Sequence, residues 1–333
     1  MPNIWTHLIF GQITLDNLRE WDLITSDKTR QLFNMGCQGP DFLFYHRFLP
    51  WQKKSALNEL GSEIHTKHCG PVIMSMLDYA KNRLHTEGDG ESTVVYAIGF
   101  LLHHILDRHM HPFVYSRSGF YKYDHQRYEI MMDSVLAYKL REIETWKTPA
   151  WREITINGRF PKSVVDCFEE IAGRYYPVLA SRIRREDWDS ALRDMLKAQR
   201  LFHDPTGVKR IVAFGQIEPF VYRRAVPYDI WNESLHPWID PTDKDIVHHD
   251  SGWMLWDHAL ADAITVTRSV FNWLRCEDPD ENERLRAETE TLIGNFSYDS
   301  GLPCESGLPI RYAEPIWPDE SSIERPNPFD ALP

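Results

Sequence analysis

Residues 100–113 read FLLHHILDRHMHPF, placing four histidines and one aspartate between positions 103 and 111. The apolar run that begins at Thr93 predicts a helix to about Met110, capped by Ser92 and stopped before Pro112. Such a helix is apolar almost all round and has to be buried. Polar groups on a buried helix are costly unless they are paired or ligated. At about 100° per residue, His103, Asp107 and His111 drift by only about 80° around the axis, so all three face one way. Any fold containing this helix must therefore enclose it and give these side chains something to bind. His104 and His109 point elsewhere. His104 is expected to hydrogen-bond within the core, and His109 to lie behind the ligands or at the surface.

The remaining pattern is also helical. Alternation of period two is nearly absent, and helices are expected at about 6–18, 62–67, 71–84, 125–141, 161–174, 187–202, 207–216, 253–276 and 281–294. Loops are expected at 33–42, where Gly36, Gly39 and Pro40 cluster, at 85–92, and at 225–251. The last 31 residues hold seven prolines, which predicts an extended tail. The reading is an all-α fold: one multi-helix domain over 1–294 and a Pro-rich tail over 295–333.

Composition limits the partners. The net charge is −12 and no basic cluster stands out, which disfavours broad binding to nucleic acid or to an anionic membrane. A small phosphate ester remains compatible, because bound cations reverse the local field. Twelve tryptophans imply a core of large side chains or, alternatively, an aromatic-lined pocket. The five scattered cysteines lack a CxxC pair, and the N-terminus has neither a basic n-region nor a long apolar run. A reduced, cytoplasmic setting without a transmembrane helix is expected.

Further ligand candidates lie on either side of the central helix. His125 and Glu129 are four apart, and so share a helix face. His65 and His68 share one turn, one as a ligand and the other structural; Cys69 beside them reads as an inert small residue. His7 stands alone near the chain start. Asp41 in GCQGPD is a turn residue or an acid held beside a metal, able to orient or deprotonate water. His248, His249 and Asp250 read as a loop feature.

Taken in order, these residues resemble the zinc-dependent phospholipase C family, whose fold the S1/P1 nucleases share. The pattern is an early His, an Asp in a Gly-rich loop, a His, an H-x-x-x-D helix with a further His, and H-x-x-x-E. This chain supplies His7, Asp41, His65, His103 with Asp107, His111, and His125 with Glu129. The resemblance implies two to three zinc ions per chain. Asp107 would bridge two of them; His65 and His103 would complete one, and His7 with the amino-terminal residue the other. His111, His125 and Glu129 would hold the third. Asp41 would position or activate the attacking water.

The implied activity is hydrolysis of a phosphate ester by a metal-activated water, with a phospholipid or a smaller phosphodiester as substrate. A phosphomonoesterase, a nuclease or a non-catalytic metal-binding protein are the alternatives. A structural site would be closed and need no spare acid, which sets Asp41 against the last of these.

Overall fold

Asn3 and Ser26 start the first two helices with side-chain caps, accepting from the Ile4 and Thr29 amides. In the computed structural model, which describes residues 3–84, 90–318 and 323–324, the helices follow as α1 (Ile4–Leu18), α2 (Asp27–Gly36), α3 (Ala56–Thr66), α4 (Cys69–Arg83), α5 (Gly90–Ser118), α6 (Asp124–Arg141), α7 (Lys162–Tyr175), α8 (Pro177–Ala180), α9 (Arg185–Phe202), α10 (Val208–Val212), α11 (Gly252–Arg275) and α12 (Pro279–Ile293). Two antiparallel pairs of two-residue strands and one isolated bridge are the β-structure among the described residues. The fold is all-α, as the periodicity predicts. Residues 1–2, positions 85–89 of the loop expected at 85–92, and the tail beyond 318 apart from 323–324 lie outside the described residues; residues 90–92 of that loop are helical.

Helix α5 is the axis of the molecule. It packs against α1, α2, α4, α6, α7 and α11, and most of its residues are buried. Several features depart from the sequence reading: α5 begins at Gly90, so Ser92 lies inside the helix instead of capping it, and α3 begins at Ala56, well before position 62. Residues 33–36 complete α2 instead of starting a loop, because Leu32, Phe33 and Met35 bury against the core and outweigh the glycine signal. Helix α5 runs through Pro112 to Ser118. An internal proline costs about 3 kcal/mol through a lost hydrogen bond and a ring clash. Here Met110 before the proline and Phe113 after it are fully buried, so packing on both sides of the proline holds the helix together. The carbonyl that Pro112 cannot serve, that of Arg108, is approached by Gly301; a Cβ at Gly301 would stand 2.2 Å from it.

From Gly294 to Pro318 the chain is non-helical apart from one short 3-10 turn, yet it lies against the core: Tyr298, Ala313 and Trp317 are buried. This strap lies beneath the face of α5 that carries the histidines. The Arg108 guanidinium ties α5 to the end of α12 through the Ile293 carbonyl (2.6 Å), and to α11 through Asp262 (2.6 Å). Asp262 also meets His109 Nε2 at 2.8 Å, so His109 buttresses a helix contact. His248 stacks on Trp238 and meets Asp240 in the small hairpin at 238–248, as a loop feature would.

Candidate metal centre

Three successive turns of α5 aim His103, Asp107 and His111 the same way, and all three are fully buried. Helix α1 brings His7 to them, with its Nε2 3.3 Å from Asp107 Oδ1. The last turn of α3 brings His65. A 3-10 helix at Asp41–Tyr45 presents Asp41, whose Oδ1 lies 3.3 Å from His65 Nε2 and 3.6 Å from His103 Nε2. Helix α6 supplies His125 and Glu129, paired at 2.8 Å, and His111 Nε2 lies 3.8 Å from Glu129. The donor atoms fall into three groups: His7, His103 and Asp107; Asp41, His65 and His103; and His111, His125 and Glu129. All eight residues singled out in the sequence therefore converge. Asp41, expected apart from the ligands, stands within a ligand group. The amino-terminal residue lies outside the described residues.

Backbone carbonyls fix the ring orientations. Nδ1 of His65 donates to the Gly61 carbonyl (2.6 Å), that of His103 to Cys37 (3.1 Å), and that of His111 to Tyr298 (2.8 Å). A carbonyl only accepts, so each Nδ1 carries the hydrogen. In the neutral ring Nε2 is then left with a bare lone pair. Those Nε2 lone pairs face carboxylate oxygens at 3.0–3.7 Å. Lone pair against anion is repulsive unless a proton or a cation lies between.

Burial holds the pKa of His7, His111 and His125 below the ordinary imidazole value, which argues against protons there. Burial also acts against protonation of His65, but the Asp41 and Asp299 carboxylates outweigh it and raise its pKa. Burial would likewise raise the Asp107 carboxyl, yet His103, His111 and His7 hold it well below the usual range. The Nε2 atoms of His7, His65, His103 and His111, Asp41 Oδ1 and both Asp107 oxygens are buried without a hydrogen-bond partner. An imidazole–carboxylate set with its lone pairs converging and unsatisfied fits a borderline cation such as zinc.

Local backbone makes this approach possible. Gly39 has a left-handed φ of +49°, and a Cβ there would stand 2.1 Å from His103 Cδ2. The cluster would be blocked by any other residue.

Several contributors escaped the sequence reading. Asp133 is fully buried on α6 and accepts from the Trp5 and Thr6 amides (3.0 and 2.8 Å), the Thr6 hydroxyl and the Tyr222 hydroxyl. It thereby docks the start of α1, and with it His7, onto the helix bearing His125 and Glu129. The spacing 125, 129, 133 was its signal, one more step along the same stripe. The strap carries the rest: the Phe296 carbonyl accepts from His104, the Tyr298 amide and the Ser297 hydroxyl donate to the His65 carbonyl, and Asp299 accepts from Tyr115. No periodicity marks that stretch. His104 is thus a core hydrogen-bonding residue, and His68 lies apart beside Tyr175 and Tyr176.

A helical bundle enclosing three neighbouring His/carboxylate groups, two of which share His103, is the framework of a metal-dependent hydrolase. The chain matches the zinc dependent phospholipase C family over residues 6–182, more than half of its length. It belongs to that family. No curated protein and no solved structure matches it. Among the described residues no helix is long and apolar enough to cross a membrane.

Proposed function

We propose that the chain hydrolyses phosphodiesters of the phospholipid type, with water as nucleophile and two to three zinc ions bound by His7, His65, His103, Asp107, His111, His125 and Glu129. The observation that carries this reading is the set of buried, carbonyl-oriented Nε2 lone pairs facing carboxylates. Zinc held there lowers the pKa of water and binds phosphoryl oxygens.

The chain's own residues do the remainder. Asp107 lies between His7, His103 and His111 and gives the groups a common acceptor. Asp41 sits at the edge of its group on a 3-10 turn, so one oxygen can face the ligands while the carboxylate orients the attacking water and takes its proton. The Gly61, Cys37 and Tyr298 carbonyls hold three rings rigid, so no reorganisation is needed as charge develops on phosphorus.

The test is a panel of phospholipids, nucleotides, simple phosphodiesters and phosphomonoesters, assayed with and without chelator. The proposal requires chelator-sensitive release of a phosphomonoester from phosphodiesters. Turnover restricted to phosphomonoesters or to nucleic acid would assign the site to one of the alternatives. Replacing Asp41 with Asn keeps an oxygen donor but removes the base. A rate loss on the order of 10²-fold or more is expected, with metal content largely retained. Unchanged turnover would remove Asp41 from the mechanism.

A further inference from the structure

The stretch from Arg200 to Arg224 differs in charge from the rest of the chain. Arg200, Lys209, Arg210, Arg223 and Arg224 stand against Asp204 and Glu218, a net +3 within a protein of −12. At its centre Val208, Ile211, Val212 and Phe214 are 57, 77, 71 and 91% exposed. Four such side chains within seven residues form an apolar protrusion, and clustered exposure of this kind marks an interaction surface.

The protrusion is firmly held. Asp204 accepts from the Lys209 and Arg210 amides (3.2 and 3.0 Å). The Lys209 ammonium donates to the carbonyls of Arg200, Leu201 and His203, closing the end of α9. The apolar side chains are thus displayed by an ordered backbone. Their support also frames the metal centre. Phe220 packs on Phe202 (4.8 Å) and on Tyr123 (4.7 Å), and Tyr123 precedes His125 by two residues. At the other side Gln199 donates to the hydroxyl of Tyr45, which ends the turn that begins at Asp41.

We infer that the 208–214 turn is a membrane-docking surface, its Val208, Ile211, Val212 and Phe214 side chains entering the interfacial layer of an anionic bilayer while exposed Arg224 meets lipid phosphates. The charge pattern selects this occupant. A bilayer bearing anionic lipid repels the chain as a whole and attracts this stretch, so one face alone can dock. The degree of exposure makes the patch a projection, which suits insertion into a fluid interface. Docking here brings the side of the molecule that carries exposed Tyr123, two residues before His125, towards the lipid. That lipid is also the substrate rests on the phosphodiesterase reading; the docking does not.

The experiment is flotation of the full chain with vesicles of phosphatidylcholine alone and of phosphatidylcholine mixed with phosphatidylglycerol, at low and high salt. The wild type should bind the mixed vesicles preferentially, and salt should weaken binding. The double variant Ile211→Ser with Phe214→Ser should lose roughly tenfold or more in partitioning. Arg224→Gln should lose less, and only at low salt. Circular dichroism and thermal midpoint check that the variants fold. Hydrolysis of a soluble short-chain phosphodiester should be the same in all three proteins. Equal binding by wild type and double variant overturns the proposal, as does a wild type that binds neither vesicle. A double variant that changes only the self-association of the protein assigns the patch to a second copy of the chain. Retained vesicle binding without any phosphodiester hydrolysis would sink the enzymatic reading and leave the docking surface standing.

Discussion

Replacing Gly39 with Ala tests whether the metal centre depends on a single missing Cβ. That Cβ would stand 2.1 Å from His103 Cδ2 and 2.5 Å from Cγ. Carbon atoms in contact sit at about 3.5–4.0 Å, so ring and loop must separate by roughly 1.4 Å. His103 has nowhere to go: it is fully buried, its Nδ1 is held by the Cys37 carbonyl, and its ring stacks on His7 at 4.1 Å. A metal site tolerates ligand displacements of only about 0.2 Å, and His103 belongs to two donor groups. The left-handed backbone adds about 1 kcal/mol for alanine and the overlap about 2, so a loss of about 3 kcal/mol is expected. Gly307→Ala is the control, since Gly307 has a similar φ of +60° but nothing within 4 Å of its Cβ. It should lose about 1 kcal/mol and no metal. Denaturant unfolding and metal analysis by mass spectrometry read both quantities. Equal stability and equal zinc content in the two variants would refute the reasoning.

Other outcomes follow from the same packing. Burial lowers the His104 pKa from 6.5 to about 3, with its ring donating to the Phe296 carbonyl. The unfolded chain therefore binds this proton first as pH falls. The stabilisation is complete above pH 6.5 and is lost on the way down to about 3, at up to about 1.4 kcal/mol per pH unit; His104→Gln should flatten that slope in acid unfolding curves. Removing zinc with a chelator should lower the thermal midpoint by at least about 5 °C, and zinc should restore it; a chelator-indifferent midpoint would show that the donor groups are satisfied without metal. Asp262→Ala leaves the buried Arg108 guanidinium short of its carboxylate and should cost about 3 kcal/mol in urea titration, where a change under about 0.5 would show the pair to be dispensable.

The order of donors along the chain carried most of this centre. His103, Asp107 and His111 were legible because a helix of period 3.6 sends positions four apart to one side, and a buried polar stripe needs a purpose. His125 and Glu129 followed by the same rule, and Asp133 could have. His7, His65 and Asp41 became legible through their order, since a lone histidine or a Gly-Pro-Asp turn is ambiguous when taken singly. The continuation of α5 through Pro112 was hidden, because whether a helix survives a proline depends on what packs around it.

Residues 294–302 mark the boundary between the two kinds of information. In sequence they follow the last helix and resemble the start of a tail. In the folded chain their carbonyls and amides orient His111, His104 and His65 from positions about 190 to 230 residues away along the chain. Local pattern encodes which face of an element is apolar and which donors share it, because those depend on neighbours a few bonds away. The partner of a given carbonyl, the 2.1 Å that forbids a side chain at Gly39, and the grouping of eight donors into three sets depend on how distant segments close on one another. No short window of residues contains those distances; only the assembled core does.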